Sequence, residues 1–357
     1  MSSTPHRPRV TALIDTYNQG RFIEEAVESV LSQDFPAAEM EILVVDDGST
    51  DDTAERVKKF APRVRYVRKE NGGQASALNL GFQLAQGEII AMLDGDDVWL
   101  PQKIRRVVAE FRKNPAVGMV YHPYQWWDTD RNICRDDADF PAVCGFVPGD
   151  LSALLRYGDT GTCGMAFRAD VLQKLLPIPE ELIILADAYL IYLGIFPAPV
   201  AAINECLTRY RLHSANLNTF QQRNPELGQR RLACSAAALA GARRWLEQND
   251  YDLKAPALAA YLKRHELVRQ MVGFLERIPS RAEFFRYLWL TQELYRPVWS
   301  RRYRVFRAGL ALAGYLLGYS SYSRLRDLYR DSGTLLSARE WVIPRGAPGV
   351  RAPDAAR

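Results

Sequence analysis

A chain of 357 residues that is 48% hydrophobic and 25% charged has ample apolar side chains for a core, which excludes an intrinsically disordered protein. The five cysteines (Cys134, Cys144, Cys163, Cys206 and Cys234) are odd in number and lack a CxxC spacing, which excludes a disulfide framework and a zinc-finger-like site and favours reduced thiols. The formal net charge of +4 is unevenly spread: residues 261–330 carry 14 Lys/Arg against 5 Asp/Glu, residues 331–357 carry +1, and residues 1–260 are left with −6. An acidic body with a basic C-terminal region points that region towards an anionic surface.

Residues 1–8 contain no apolar stretch and read as a flexible N-terminus without a secretory signal, so a cytoplasmic location is expected. From residue 9 the pattern alternates. Residues 10–14 form an apolar run that stops at Asp15-Thr16-Tyr17-Asn18, and residues 22–32 place Phe22, Ala26, Val27, Val30 and Leu31 at helical spacing. A strand over 41–45, a helix over 50–60 with an acidic start, a strand over 64–67, a helix over 75–85 and a strand over 88–93 follow. Strands separated by helices predict an α/β protein: a Rossmann-like, mostly parallel sheet with helices on both faces. Residues 121–215 are less regular, with aromatic and Gly/Pro-rich loops. The expected division is a catalytic α/β domain over 9–220, a helical basic region over 221–330, and a disordered tail over 331–357.

Two acidic clusters sit where buried strands run out. One is Val44-Val45-Asp46-Asp47-Gly48-Ser49-Thr50-Asp51, the other Ile89-Ile90-Ala91-Met92-Leu93-Asp94-Gly95-Asp96-Asp97. Carboxylates are costly in a core but useful at the C-terminal edge of an open α/β sheet, where ligands bind. Two such clusters predict one crevice that gathers negative charge for a hard divalent cation with a phosphorylated ligand. Plain turns and helix caps compete as readings of Asp46, Asp47 and Asp51. Asp97 reads as a cap for the helix entered at Pro101, and Arg68 and Lys69 as solvated.

The order of Ala12-Leu13-Ile14-Asp15-Thr16-Tyr17-Asn18, the Val44–Asp51 segment, Asn71-Gly72-Gly73-Gln74-Ala75-Ser76-Ala77-Leu78-Asn79 and Leu93-Asp94-Gly95-Asp96-Asp97 resembles the family 2 glycosyltransferases of GT-A fold, over about residues 9–215. The resemblance implies an enzyme that moves a sugar from a nucleotide-sugar, usually a UDP-sugar, to a glycan or lipid-linked hydroxyl acceptor, with Mn²⁺ or Mg²⁺ as cofactor. Carried over by position, it implies that Asp47 pairs with the base, with Thr16 and Tyr17 beside it. Asp94 would contact the ribose or the metal's water shell, and Asp96 would ligate the metal. Gly73 and Gln74 open a helix and would turn backbone N–H groups towards the donor phosphates, though the two glycines equally read as a plain turn. Asp187, the sole acid of Ile184-Leu185-Ala186-Asp187-Ala188-Tyr189-Leu190, matches the carboxylate base of inverting members; Glu180, Glu181 and Asp159 are the fallback bases. In Arg209-Tyr210-Arg211-Leu212-His213, Arg211 would clamp phosphate and His213 would be a third metal contact. The chain departs from the pattern at Ala186, where an acid is common, and at Asp15, where proline is common. Residues 160–167 would line the acceptor side, and Trp126 and Trp127 are either sugar-stacking or core residues. The competing functions are a nucleotidyltransferase of similar fold and a membrane-bound scaffold without turnover.

In the basic region, residues 308–323 form a run of 16 without a charge. As a helix that run spans ~24 Å, short of a ~30 Å hydrocarbon core. Residues 281–330 are expected either to lie on an anionic membrane surface, with arginines at phosphates and aromatics at headgroups, or to pack as a helical subdomain. No nucleic acid is expected, since no recognisable RNA-binding module is present.

Overall fold

The computed structural model describes residues 9–129, 132–136, 142–157, 160–213, 216, 225–276, 279–297 and 301–318. The expected flexible N-terminus, the expected disordered tail, the fallback base Asp159 and the end of the uncharged run lie outside these residues. The elements in chain order are β1 (Val10–Thr16), α1 (Ile23–Leu31), β2 (Met40–Asp46), α2 (Thr53–Lys58), β3 (Arg65–Arg68), α3 (Gln74–Leu84), β4 (Ile89–Asp94), β5 (Val98–Trp99), α4 (Lys103–Lys113), β6 (Met119–Tyr121), β7 (Gln125–Asp128), β8 (Ile133–Asp136) and α5 (Leu151–Arg156). They continue with β9 (Met165–Arg168), α6 (Ala169–Leu172), α7 (Asp187–Leu193), β10 (Val200–Ala202), β11 (Thr208–Leu212), α8 (Pro225–Gln248), α9 (Pro256–Glu276), α10 (Arg281–Tyr295) and α11 (Arg301–Leu317).

Seven strands form the main sheet, in the order β10-β6-β9-β4-β1-β2-β3. The β1–β2, β1–β4, β2–β3 and β6–β10 pairs are parallel, while β9 runs antiparallel between β4 and β6. Every residue of β1 is buried, as expected of a strand covered on both faces. Its Val10, Ala12 and Ile14 join a core with Ile23, Ala26, Val27 and Val30 of α1 and Ile104, Val107, Val108 and Phe111 of α4. The opposite face carries Leu13, which meets α3 at Gly81.

The predicted end of β1 at Ile14 is corrected: the strand runs on through Asp15 and Thr16. Asp15 pairs with Val45 on one side and Asp94 on the other, and Thr16 pairs with Asp46. Ladder hydrogen bonds depend on the backbone, so two polar residues continue the strand once neighbours exist on both sides. The predicted start of α2 at Thr50 moves to Thr53 because the preceding residues tie down another loop. Asn18 N donates to Ser49 Oγ at 2.8 Å, Thr50 N donates to Asn18 Oδ1 at 2.8 Å, and Gly20 N donates to Asp51 at 2.9 Å.

A second sheet, β5-β11-β7-β8, was not anticipated in the irregular stretch after residue 121. Trp126 packs edge-on against Tyr124 and Tyr210, so its ring belongs to an aromatic cluster of this sheet.

Contacts divide the chain into two compact units. One is Met1–Val147 with Gly158–Gln222 and Ala233–Tyr251; the other is Pro148–Tyr157 with Arg223–Leu232 and Asp252–Arg357. The division is thus interleaved along the chain. Within the second unit, α10 opens with a complete capping box between Ser280 and Glu283, in which each side chain satisfies the other residue's free backbone N–H.

Candidate active site

The C-terminal ends of β1, β2 and β4 bring the two acidic clusters to one edge of the main sheet. They take different roles there. Asp46 closes the turn after β2: it accepts Ser49 N at 2.7 Å and the Tyr66 hydroxyl at 2.5 Å. Asp47 is 4% exposed and accepts from Lys69 Nζ at 2.8 Å, Gly72 N at 3.0 Å and Gly73 N at 2.7 Å. Lys69 is therefore not solvated, and Arg68 donates to the Ser49 carbonyl. Gly48 and Gly73 both have positive φ, 82° and 86°. A Cβ on Gly48 would lie 2.8 Å from Asn71 N, and one on Gly73 2.6 Å from the Ile183 Cα; only glycine fits either place.

These contacts correct the reading of the 71–74 loop. Gly72 and Gly73 donate to Asp47, and Gln74 N and Ala75 N donate to the carbonyls of Ile183 and Leu182. The N–H groups of Gly72, Gly73, Gln74 and Ala75 are thus spent inside the protein rather than left open to phosphate. Tyr17, 46% exposed, stands at the rim, while Thr16 is buried.

Asp96 is the meeting point of the second cluster. Its Oδ2 lies 3.0 Å from His213 Nε2, 3.3 Å from Gln19 Nε2 and 3.4 Å from Asn216 Nδ2. Asn216 Oδ1 also accepts the backbone N–H of His213 at 2.6 Å. Two adjacent ligands of an octahedral ion at ~2.1 Å stand roughly 3.0 Å apart. The Asp96–His213 pair, a carboxylate oxygen and an imidazole nitrogen in hydrogen-bond contact, has that spacing and could reach one divalent ion together.

Arg211 has work of its own. Its Nε donates to the Asp96 carbonyl at 2.7 Å and its Nη2 to Glu25 at 2.5 Å. The guanidinium also lies 4.9 Å from the Phe22 ring and 4.1 Å from the Trp127 ring. It therefore braces the Asp96 loop instead of standing free as a phosphate clamp. Asp97 is no cap for α4, whose first turn has no side-chain cap. It is buried and accepts the Arg211 backbone N–H at 2.9 Å.

Asp94 and Asp15 stand side by side at register positions of β4 and β1. Burial and then the charge of Asp15 hold the Asp94 carboxyl well above the usual range, with Asp97, Asp96 and Asp187 adding to the effect. Burial likewise raises Asp15, to about 7, with the charges of Asp96 and Asp187 contributing. Asp187 is the first residue of α7 and accepts Thr162 N at 3.2 Å; burial raises it too. Glu180 and Glu181 are exposed. The structure thus brings Asp94, Asp187 and Gln74 together with Asp15, and joins Asp96 to His213.

Sequence reasoning missed Lys103. This residue is fully buried, donates to Thr208 Oγ1 at 3.2 Å and to the Cys163 carbonyl, and lies 4.4 Å from the Trp99 ring. Burial lowers its ammonium to about 7, against the pull of Asp97 and Asp94. The signal was a lysine on the core face of α4, in line with Ile104, Val107, Val108 and Phe111. Among the described residues Asp94, Asp97 and Cys163 also converge, one potential ligand atom of each lying within 4.8 Å of the others. The charges of these three groups favour the ammonium form of Lys103 beside them.

A mostly parallel sheet that gathers carboxylates at its strand ends defines a GT-A fold, and solved structures agree. TarS from S. aureus in complex with UDP matches with TM-score 0.56 and 18% identity over 90% of this chain and 91% of that one. The mannosyltransferase PcManGT from Pyrobaculum calidifontis, in complex with GDP-Man and Mn²⁺, matches with TM-score 0.52 and 20% identity over 92% and 87%. Residues 11–176 match the model of Glycosyl transferase family 2, and this stretch is identified as a member of that family. An uncharacterized glycosyltransferase of Nostoc sp. is 35% identical over 217 residues, 58% of this chain and 66% of that protein. The chondroitin synthase of Pasteurella multocida is 37% identical over 135 residues, 37% of this chain and only 13% of that synthase. The chain spans less than two thirds of the length of these relatives, with which it shares a glycosyltransferase domain.

Proposed function

We propose that the protein transfers a sugar from a UDP-sugar to a hydroxyl of a glycan or lipid-linked saccharide, with inversion and with Mn²⁺ or Mg²⁺ bound. The observation that carries this reading is the placement of Asp187. It is a half-buried carboxylate at a helix start, and its charge, like that of Asp96, acts on Asp94. Asp96 and His213 would hold the ion, which when bound neutralises the leaving diphosphate. Asp94 would accept from the ribose. Asp47, already oriented by Lys69 and the two glycine N–H groups, keeps lone pairs that could accept the N–H of the base. Asp187 would take the proton of the acceptor hydroxyl as its oxygen attacks the anomeric carbon. UDP in one similar structure, and GDP-Man with Mn²⁺ in another, support a nucleotide-sugar donor.

Melting curves test the donor half. A ligand that binds only the native state stabilises by about 2.7 kcal/mol at a hundred times its Kd. With Mn²⁺ present, a UDP-sugar should raise the melting temperature by several degrees and a GDP-sugar should not. A GDP-sugar alone raising it would overturn the choice of UDP.

For the second unit we propose a cytoplasmic location with α10 and α11 resting on an anionic lipid surface. No described helix is long and apolar enough to cross a membrane. Trp289, Val305, Leu312 and Leu316 are more than half exposed, and Arg296, Arg301 and Arg304 line a groove of about 490 Å³ with Phe285 and Trp289. Arginines among exposed aromatics suit lipid headgroups. The protein should float with vesicles containing phosphatidylserine and lose this on Trp289→Ser with Val305→Ser; equal flotation with neutral vesicles contradicts the proposal.

A further inference from the structure

Gln74 opens α3, and its resemblance-based role is contact with the donor. Its side chain is spent elsewhere. Gln74 Oε1 accepts Ala186 N at 3.0 Å, while Nε2 lies 3.5 Å from Asp94 Oδ1, and the same amide counters the rise of the neighbouring Asp15 carboxyl. An amide N–H only donates, so Ala186 obliges the oxygen of Gln74 to face it and the NH₂ to face the carboxylates. That NH₂ then faces Asp94 with Asp15 beside it, two carboxylates that confront each other across neighbouring strands.

The surroundings show what this amide holds in place. Gln74 N and Ala75 N donate to Ile183 O at 3.0 Å and Leu182 O at 3.2 Å. Asn79 exchanges hydrogen bonds with both backbone groups of Ile178, at 2.8 and 2.9 Å. The stretch from Ile178 to Ala186 is thus laced to α3, and it leads directly into Asp187. Leu185 within it has φ of +57°, a conformation that a branched side chain adopts only when its neighbours impose it. Gln74 is the one side chain in this lacing that also reaches the Asp94–Asp15 pair. Asp15 is 8% exposed, and its Oδ1 has no hydrogen-bond partner among the described residues. A buried carboxylate so placed is tolerable only where a donor is held against it.

We infer that Gln74 is a positioning residue for sugar transfer: its amide sets the Ala186–Asp187 peptide in register with Asp94 while separating the carboxylates of Asp15 and Asp94. This rests on the reading of Asp187 as the base. A misplacement of about 1 Å at a reacting group costs on the order of 10²-fold in rate, and groups that act through one another give non-additive effects.

The test is a double-mutant cycle of Gln74→Leu with Asp187→Asn, read as nucleotide released from the nucleotide-sugar selected by the melting screen, with water as acceptor. Gln74→Leu should lower kcat about 10²-fold and leave the donor KM within about threefold. Placed on Asp187→Asn, it should add less than about threefold. A second pair keeps the proposal falsifiable if leucine disturbs folding. Gln74→Glu retains an acceptor for Ala186 but loses the NH₂ and adds a charge, so it should be at least as slow. Adding Asp15→Asn to it returns an NH₂ and removes a charge, and should recover about tenfold or more. Gln74→Leu with a raised KM and unchanged kcat would make Gln74 a donor contact and overturn the proposal, as would additive losses or no recovery by Asp15→Asn. An Asp187→Asn variant with unreduced transfer would overturn the proposal through its base assignment. Failure of the Gln74 inference alone shows instead as an inactive Asp187→Asn beside an unimpaired Gln74→Leu.

Discussion

Asp187→Asn is expected to lower turnover by ~10²–10⁴-fold, the usual contribution of a positioned general base, while donor affinity stays within a few-fold. The amide keeps an oxygen for Thr162 N and nearly the same volume, so α7 should start as before. What it cannot do is accept a proton. Burial raises the Asp187 carboxyl above its ordinary value, which makes it a stronger base than an exposed carboxylate and suits it to the task. The exposed Glu180 and Glu181 share neither that burial nor the contact with the 160–164 segment, so they should not substitute. Wild-type turnover should also fall as the pH drops through the raised Asp187 pKa, and that acid limb should be missing in Asp187→Asn. Undiminished turnover in the variant would remove Asp187 from the reaction.

Asp96→Ala should be more severe, removing Mn²⁺-dependent transfer by ~10³-fold or more, since a metal supplies several kcal/mol of charge stabilisation in such reactions. The substitution removes the atom on which His213, Gln19 and Asn216 converge. It spares the Asp96 carbonyl that Arg211 braces, so the loop should keep its shape. The surrounding charges give the metal a second, thermodynamic signature. A carboxyl whose folded pKa is raised, as Asp15's is to about 7, contributes stability at acidic pH that is lost as pH rises from about 4 through 7. The metal-free protein should therefore weaken over that window by on the order of a few kcal/mol. Mn²⁺ should raise the melting temperature more at pH 8 than at pH 5.5, and in Asp96→Ala this difference should shrink. A variant that keeps full Mn²⁺ stabilisation would move the metal to other ligands.

Much of the main sheet was legible because its signals are local. Apolar runs of about strand length, the helical spacing of Phe22, Ala26, Val27, Val30 and Leu31, and acids at the ends of β2 and β4 are properties of short windows. The boundary errors came from neighbours: Asp15 and Thr16 look like a loop until β2 and β4 flank them. The second sheet was illegible because strands as short as β5 have no periodicity to display, and β11 finds β7 more than 80 residues away. The site divides in the same way. Asp96 and His213 were singled out by motif and lie together, whereas the partners of Asp47, Arg211 and Gln74 had no signal in the sequence. The Gln74–Ala186 bond joins residues 112 apart, and nothing local to either announces it. The 71–74 loop is the instructive miss. A glycine-rich turn before a helix offers the same N–H cradle to a ligand phosphate or to a carboxylate of the chain, and here Asp47 is one such anion.

The most direct measurement follows the nucleotide. The wild-type protein and Asp96→Ala would each be incubated with Mn²⁺ and the nucleotide-sugar that raises the melting temperature, and the released nucleotide identified by chromatography. Wild-type protein should release the nucleoside diphosphate, and Asp96→Ala, folded by its melting curve, should release almost none. Pyrophosphate in place of the diphosphate would make the protein a nucleotidyltransferase, and equal diphosphate release from the variant would contradict the metal–nucleotide site at Asp96.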